Sequence, residues 1–311
     1  MLNSYLAYSW ASSPERLAIA SVVTLGFAVL ARALRGVNRS GALAGGIACF
    51  LLLAGAGPAA FATLAALFST TWVATRLGYR RKLALGLAER RDGRHVWQVL
   101  ANLAVPALAS VVFSATGSRA WLLATVAALA EAATDTVASE IGQYRGPDAR
   151  LITTWERVPS GTDGGITIPG SAAGMAAGLV IVGVATVGGM IPPGQLWIPV
   201  AAGFAGMLID SLLGATLQRR GWISNQAVNL FSTLAAAALS CAVLMFASGQ
   251  PPRLPGGAKP RHALECEDGQ TKTGRSALAW TAGAAVPMLS SLLDSVEQHE
   301  DQNAQQGVRH A

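Results

Sequence analysis

The sequence predicts an all-α, polytopic bundle of seven or eight transmembrane helices. Hydrophobic residues make up 52% of the 311-residue chain and charged residues only 13%, a balance that excludes most soluble globular folds. The apolar excess is mostly Ala, Gly, Leu and Val, which favours helices that pack closely through small residues over the alternating pattern of a membrane barrel. The net charge of +6 comes largely from Arg and Lys in short loops, where it would orient the chain, so we do not expect nucleic-acid binding.

Eight apolar runs follow one another, each close to the ~20 residues that cross a bilayer. They cover residues 17–34, 40–56, 58–77, 97–115, 119–139, 167–190, 196–217 and 226–247. Only Gly57 and Pro58 separate the second run from the third, so these two could form one re-entrant unit and leave seven spans. The first run lacks the basic start and the cleavage site of a secretory signal, and we expect it to be retained.

Positive charge alternates between the loops. Arg and Lys cluster in the connections after the first, third, fifth and seventh runs, whereas the other connections contain only Arg119. The positive-inside rule makes the basic connections cytoplasmic and puts both chain ends outside. We therefore expect a multi-pass protein of a bacterial inner (cytoplasmic) membrane.

The chain divides by composition near residue 249. Residues 1–248 carry all eight apolar runs and form the predicted transmembrane domain. Residues 249–311 are rich in Pro, Gly, Gln, Glu and Asp, which is typical of a disordered or interfacial tail. The three Cys and four His residues have no metal-site spacing, so neither a zinc site nor a disulfide framework is expected.

Polar residues within the apolar runs agree in depth. Asn102, Asp135, Ser139, Asp210 and Asn229 all fall in the predicted cytoplasmic half of their runs. Asp210, for example, precedes the inner loop by nine residues, or about 13 Å at about 1.5 Å per residue. Polar residues that served only helix packing would not be expected to agree so well. The pattern predicts a water-accessible site that opens to the cytoplasm.

Acidic residues give this site its chemistry. Glu131, Asp135 and Ser139 recur every four residues and lie on one helix face. When two carboxylates lie one turn apart inside a helix bundle, the loss of solvation and their mutual repulsion both disfavour the ionised forms. A bound divalent cation would offset this negative charge. A buried pairing with Arg or an interhelical hydrogen bond is the alternative, above all for the deeper Glu131.

Glycines occur on the helix face of Asp210 and within the connection that ends at residue 167. Gly203, Gly206 and Gly214 share a face with Asp210 and would let another helix or a ligand approach. In the connection, Gly161, Thr162, Gly164 and Gly165 can form a tight turn whose backbone N–H groups face an anion, followed by a helix N-terminus. Such a turn is by itself only a loop, but beside paired carboxylates it supplies the parts of a Mg²⁺–phosphate site. No G-x-x-x-x-G-K-[ST] run is present, which excludes a P-loop kinase.

Five phrases carry a resemblance to a known family. They are QVLAN at 98–102, DTVASEIG at 135–142, LITTWERVPSGTDGGIT at 151–167, DSLLGATLQ at 210–218 and NQAVN at 225–229. They resemble the integral membrane family that contains the plant chloroplast phytyl-phosphate kinase and human transmembrane protein 19, in consistent order from about residue 36 to 247. This chain departs from the family that it resembles at Asp163, where that family more often has Asn.

The resemblance implies a CTP-dependent transfer of a phosphoryl group, with Mg²⁺, onto an isoprenyl monophosphate to give the diphosphate. Our hypothesis is that Asp135, Glu140 and Asp210 bind Mg²⁺ and nucleotide phosphates and that the glycine turn at 161–165 cradles phosphate. Arg157 or the basic connection 80–94 would hold the lipid phosphate. Further hydrogen-bonding groups lining the site would be Asn102, Ser139, Asn225 and Asn229.

Other interpretations stay open. A cytidylyltransferase that makes a CDP-lipid would need the same metal and nucleotide groups, and a lipid or small-molecule transporter could also use intramembrane carboxylates. The basic connection could simply set topology and contact anionic membrane lipids. The identity of the isoprenyl chain and the oligomeric state are not predicted.

Overall fold

A computed structural model describes residues 14–145 and 149–248 of the chain. Within these residues, eight helices are long and apolar enough to cross a membrane. The predicted all-α, multi-pass bundle is therefore confirmed. The predicted tail at 249–311 lies outside the described residues.

The elements follow the predicted runs closely. In chain order they are α1 Arg16–Ala33, α2 Arg39–Ala56, α3 Pro58–Arg76, α4 Tyr79–Ala84, α5 Val96–Thr116, α6 Arg119–Arg145, β1 Arg150–Leu151, β2 Gly165–Ile166, α7 Ile168–Val187, α8 Trp197–Leu213 and α9 Asn225–Ser248. A 3₁₀ turn, Pro193–Gln195, precedes α8, and a π-helical turn, Gly214–Gln218, follows it. Among the α-helices of residues 14–145 and 149–248, the short α4 alone lies outside the predicted runs.

The chain breaks between α2 and α3, which decides between seven and eight spans. Gly57 has φ +86°, a conformation that glycine adopts without a steric penalty. Pro58 is the first residue of α3, where its missing N–H costs nothing because that group has no helical acceptor. Two separate helices result, and the count of eight stands.

Helix α6 is the centre of the bundle. It packs against α3, α5, α7, α8 and α9, and its buried surface from residue 120 to 133 is dominated by alanine. Small side chains let several helices approach one axis closely. The same helix carries Glu131, Asp135 and Glu140, so these charges lie on the most enclosed element of the fold.

The connection between α6 and α7 differs from the predicted loop by forming a short antiparallel pair. Arg150 lies opposite Ile166, and Leu151 lies opposite Gly165. Next to the pair, the Ile152 N–H donates to the Gly164 carbonyl at 3.0 Å. This pairing ties both ends of the connection together and holds the glycine turn close to the bundle.

Candidate functional site

A polar cavity of about 360 Å³ opens at one end of the bundle. Residues from the C-terminal parts of α6 and α8 line it, together with residues near the N-termini of α5, α7 and α9. All the predicted site residues except Arg157 border this cavity: Asn102, Asp135, Ser139, Glu140, Gly161, Thr162, Gly164, Gly165, Asp210, Asn225 and Asn229. Arg157 is instead solvent-exposed, and its backbone pairs with that of Arg150 in an isolated antiparallel β-bridge.

Helix α9 orients the carboxylate of Asp210. The Ser232 hydroxyl donates to Asp210 Oδ2 at 3.2 Å. The Asn229 amide, oriented to satisfy its neighbours, donates to the same oxygen at 3.2 Å and to the Asn225 carbonyl at 3.1 Å. Sequence reasoning missed Ser232, although it follows Asn225 and Asn229 at helical spacing on one face of α9.

Asp135 faces this arrangement from α6. It is half-buried and lies within electrostatic reach of both Asp210 and Arg94. Asn102 projects from α5, where its amide donates to the Gln98 carbonyl at 2.9 Å, and Arg94 and Gln98 line the cavity beside it. Neither Arg94 nor Gln98 was singled out from the sequence, although both lie in segments that were.

Glu140 has a partner that the sequence did not indicate. It forms an ion pair with Lys82, and its other oxygen accepts from the Thr75 hydroxyl at 3.1 Å. Lys82 also donates to the carbonyls of Ala74 and Thr75 and is fully buried, although the sequence analysis counted it among the basic loop residues. Glu140 borders the cavity with its charge already matched, so its role as a metal ligand stays a prediction.

Glu131 lies beneath the cavity lining. Its side chain is 1% exposed, and neither carboxylate oxygen has a hydrogen-bond partner in the described part of the chain. A Cβ on Gly206 would lie 2.5 Å from Glu131 Cγ, and one on Gly203 would lie 3.1 Å from the Glu131 nitrogen. The glycine stripe of α8 therefore lets that helix approach α6, which brings Asp210 towards Asp135.

The glycine turn lies directly on the end of α8. A Cβ on Gly164 would lie 2.5 Å from the backbone nitrogen of Ala215, and one on Gly214 would lie 2.9 Å from the Gly164 nitrogen. Gly164 has φ +74°, so a side chain there is excluded by both space and backbone conformation. Contact between these glycines places the turn beside the α8 segment that carries Asp210.

The backbone N–H groups of the turn are only partly bonded within the protein. Those of Thr162 and Gly165 donate within the turn, to the carbonyls of Pro159 and Thr162. Among the described residues, the N–H groups of Gly161, Asp163 and Gly164 have no acceptor. Asp163 and Gly164 are adjacent, and adjacent unpaired N–H groups in a turn can form an anion-binding concavity.

Asp163 adds a carboxylate to the rim of the turn. Burial raises the pKa of the Asp163 carboxyl above its ordinary value of 3.8, and the charge of Arg219 partly opposes the rise. A charged Asp163 would also oppose an anion bound at the turn.

Negative charge predominates in the cavity. Its acidic lining residues are Glu89, Asp135, Glu140, Asp163 and Asp210. Within the described part of the chain, Arg94 is the one lysine or arginine in the lining, and its Nε lies 3.8 Å from Glu89 Oε2. With Glu140 matched by Lys82, Asp135 and Asp210 remain as half-buried carboxylates that would attract a cation.

The donor set fits Mg²⁺. Carboxylate, amide and hydroxyl oxygens are the ligands that Mg²⁺ prefers, and it usually binds through one or two carboxylates together with substrate phosphates. Within residues 14–145 and 149–248, no three His, Cys, Asp or Glu side chains form a ready-made metal site. The cavity therefore suits an ion that arrives with a phosphate ligand better than a permanently bound structural metal.

Eight apolar helices around a charged cavity at one end define a multi-pass integral membrane protein. The chain belongs to the family described as Integral membrane protein DUF92, whose model matches residues 22–237. This match confirms the family that the five sequence phrases indicated.

The chain is similar in sequence to proteins from distant organisms. The chain is 36% identical to the Synechocystis membrane protein sll0875 over 54% of this chain and 67% of the relative. It is 32% identical to the Methanocaldococcus jannaschii membrane protein MJ0933 over 70% and 90% of the two chains. It is 33% identical to the chloroplastic protein VTE6 of Arabidopsis thaliana over 62% of each chain. No solved structure matches the chain.

Proposed function

We propose that this protein transfers the terminal phosphoryl group of CTP to an isoprenyl monophosphate at the cytoplasmic face of the membrane. The observation that supports this most strongly is a single cavity that combines Asp135 and Asp210 with the free N–H groups of the glycine turn. Carboxylates suit a metal ion, and the turn suits phosphate. Phosphoryl transfer requires these two kinds of group side by side.

The residues of the cavity have three proposed roles: metal binding, orientation of a carboxylate and phosphate binding. Asp135 and Asp210 would hold Mg²⁺, which when bound offsets phosphate charge and polarises the transferring group. Ser232 and Asn229 keep the Asp210 carboxylate oriented. The N–H groups of the glycine turn would hold the nucleotide phosphates in line with the acceptor.

The bond changes follow from the two substrates. The bond between the terminal phosphorus of CTP and its bridging oxygen breaks, and CDP leaves. A bond forms between that phosphorus and a phosphate oxygen of the lipid, giving the lipid diphosphate. Because the attacking oxygen belongs to a phosphate, it is already ionised near neutral pH, so the protein has to position and neutralise charge more than remove a proton.

The position of the cavity favours an enzyme over a transporter. Polar residues gather at one end of the bundle, whereas transporter sites usually lie near the midplane. A soluble nucleotide could reach that end from the cytoplasm while the lipid chain stays in the bilayer. Membership of the integral membrane family and the similarity to the chloroplastic protein VTE6 support a lipid-related reaction.

Two variants test the proposal with purified protein, CTP and phytyl phosphate. Asp135→Asn and Asp210→Asn each remove one proposed metal ligand and should lower turnover by about 10²-fold or more. Asp92→Asn is the matched control, because Asp92 is exposed, pairs with Arg90 and does not border the cavity. Unchanged turnover in both cavity variants would reject the assignment.

Product analysis separates the alternatives in the same experiment. Lipid diphosphate with CDP identifies the phosphotransferase. A CDP-lipid with pyrophosphate would identify a cytidylyltransferase. No nucleotide turnover by the wild-type protein would favour transport.

A further inference from the structure

A second cavity, of about 530 Å³, lies among α1, α2, α3 and α5. Its inner wall is apolar and includes Phe27, Leu64, Leu67, Phe68 and Val99. The rings of Phe27 and Phe68 meet edge to face with centroids 5.5 Å apart. The volume falls within the range of small-molecule sites, which are commonly lined by hydrophobic and aromatic residues.

The mouth of this second cavity is strongly basic. Its lining includes the arginines Arg35, Arg76, Arg80, Arg90, Arg91 and Arg94. Of the described residues, Glu89 is the one acid that contributes to this lining. Among the described residues, Arg35, Arg80 and Arg91 have no carboxylate partner. An apolar wall that ends in excess positive charge complements an apolar chain with an anionic head.

Two of these arginines are held in place by the backbone around them. The Arg76 guanidinium donates to the Leu34 carbonyl at 2.7 Å and lies 4.9 Å from the Trp72 ring centroid. The Arg94 N–H donates to the Gly36 carbonyl at 3.1 Å, and the Arg94 carbonyl accepts from the Asn38 N–H at 3.0 Å. The Arg94 bonds fix its main chain, whereas the Arg76 bond fixes the guanidinium itself. A fixed guanidinium is well suited to phosphate oxygens, because little freedom is lost on binding.

The second cavity shares a wall with the polar cavity. Glu89, Arg94, Gln98 and Asn102 border both. The Gln98 amide donates to Glu89 Oε2 at 3.3 Å and supports this wall. A group held at Arg94 would therefore lie at the boundary between the apolar cavity and the carboxylates of Asp135 and Asp210.

We propose that the second cavity binds the lipid substrate, a single isoprenoid chain that ends in a phosphate. This inference rests on the proposed function and assigns a place to its acceptor. The chain lies along Phe27, Leu64 and Phe68, and the phosphate lies among the arginines of the mouth, next to Arg94. Direct transfer requires the donor and acceptor phosphates to meet, and the shared wall supplies that meeting point.

A variant that fills the second cavity tests the place of the chain. Gly45 borders it from α2, and a Cβ there would meet only Val99 Cγ1, at 3.8 Å. Gly45→Leu should therefore occupy the cavity without displacing the backbone. Gly26→Leu is the matched control, because Gly26 does not border the cavity and a Cβ there meets nothing within 4 Å.

Binding of geranylgeranyl monophosphate is measured without nucleotide, by native mass spectrometry of the detergent-purified protein. Gly45→Leu should weaken binding by about tenfold or more, while Gly26→Leu should bind as the wild type does. Equal binding by Gly45→Leu and the wild type would overturn the proposal. So would equally tight binding of phosphatidylglycerol, a bulk membrane lipid.

A charge variant tests the place of the phosphate independently of cavity filling. Arg80→Gln with Arg91→Gln should weaken binding of geranylgeranyl monophosphate and leave binding of geranylgeraniol unchanged. Arg119→Gln, which borders neither cavity, should change neither. If the alcohol and the phosphate bind the wild type equally well, the phosphate is not held at the mouth.

The outcomes distinguish this inference from the proposed function. If Gly45→Leu loses lipid-phosphate binding but the wild type turns over no nucleotide, the lipid site stands and the phosphotransferase fails. If Gly45→Leu transfers phosphate with an unchanged KM for the lipid, the phosphotransferase stands and the lipid site is overturned.

Discussion

The buried ion pair between Lys82 and Glu140 offers a sharp test of the structure. Lys82 is fully buried and Glu140 is 8% exposed. Lys82 also donates to the Ala74 and Thr75 carbonyls at 3.2 and 2.9 Å. The pair joins α4 to the central helix α6 at the wall of the polar cavity, where Glu140 is part of the lining.

Replacing Lys82 by Met removes the charge, keeps most of the side-chain volume and leaves Glu140 buried without its partner. Loss of one member of a buried ion pair costs about 3–5 kcal/mol, because the remaining charge is uncompensated. We expect Lys82→Met to lower the free energy of unfolding by this amount. The double variant Lys82→Met/Glu140→Met should recover most of the loss, since replacing both partners by apolar residues is often close to neutral.

The assay is denaturant-induced unfolding in mixed micelles, followed by tryptophan fluorescence and analysed as a double-mutant cycle. Arg81→Met is the matched control, because it removes a neighbouring exposed charge from the same short helix and should change stability by less than about 0.5 kcal/mol. A Lys82→Met loss no larger than that of the control would refute the buried pair. If the stable double variant also retains turnover, Glu140 is a structural partner of Lys82 and not a metal ligand.

Two further predictions concern the glycine turn. Gly164→Ala should lower the free energy of unfolding by about 2–3 kcal/mol and weaken CTP binding, because the added Cβ contacts Ala215 and the residue must keep a positive φ. The control is Gly86→Ala, where φ is +72° but the space around the Cβ is open. In thermal unfolding and nucleotide titration, the control should cost only about 1–2 kcal/mol and leave CTP binding intact. Burial raises the pKa of Asp163 above 3.8, so the folded protein holds this proton more tightly than the unfolded chain does. The resulting contribution to stability is fully present below pH 3.8 and is lost as the pH rises through the raised pKa. Asp163→Asn should therefore match the wild-type melting temperature at the acidic end and exceed it at neutral pH; parallel melting curves across that range would contradict this.

Much of the site could be predicted because its residues are marked by features of short stretches of sequence. Asp135 and Asp210 were identified by their depth in apolar runs, and the turn at 161–165 by its glycines. Depth along a helix follows from a constant rise per residue, so residues of equal depth were expected to share one end of the bundle. The cavity, which holds all the predicted site residues but Arg157, agrees with that reasoning.

The sequence alone determined the class of protein, a count of seven or eight spans, the family and the end of the bundle that carries the charge, and the structure fixed the count by separating α2 from α3. Only the tertiary structure decided which side chains meet: Lys82 with Glu140, Ser232 with Asp210, and the arginines of the loops with an apolar cavity. It also left Arg157 outside the site. The physical reason is that partners across helices depend on how each helix is rotated and how closely it approaches its neighbours. In this bundle, those distances are set by glycines and alanines that are far apart in the chain and meet on α6.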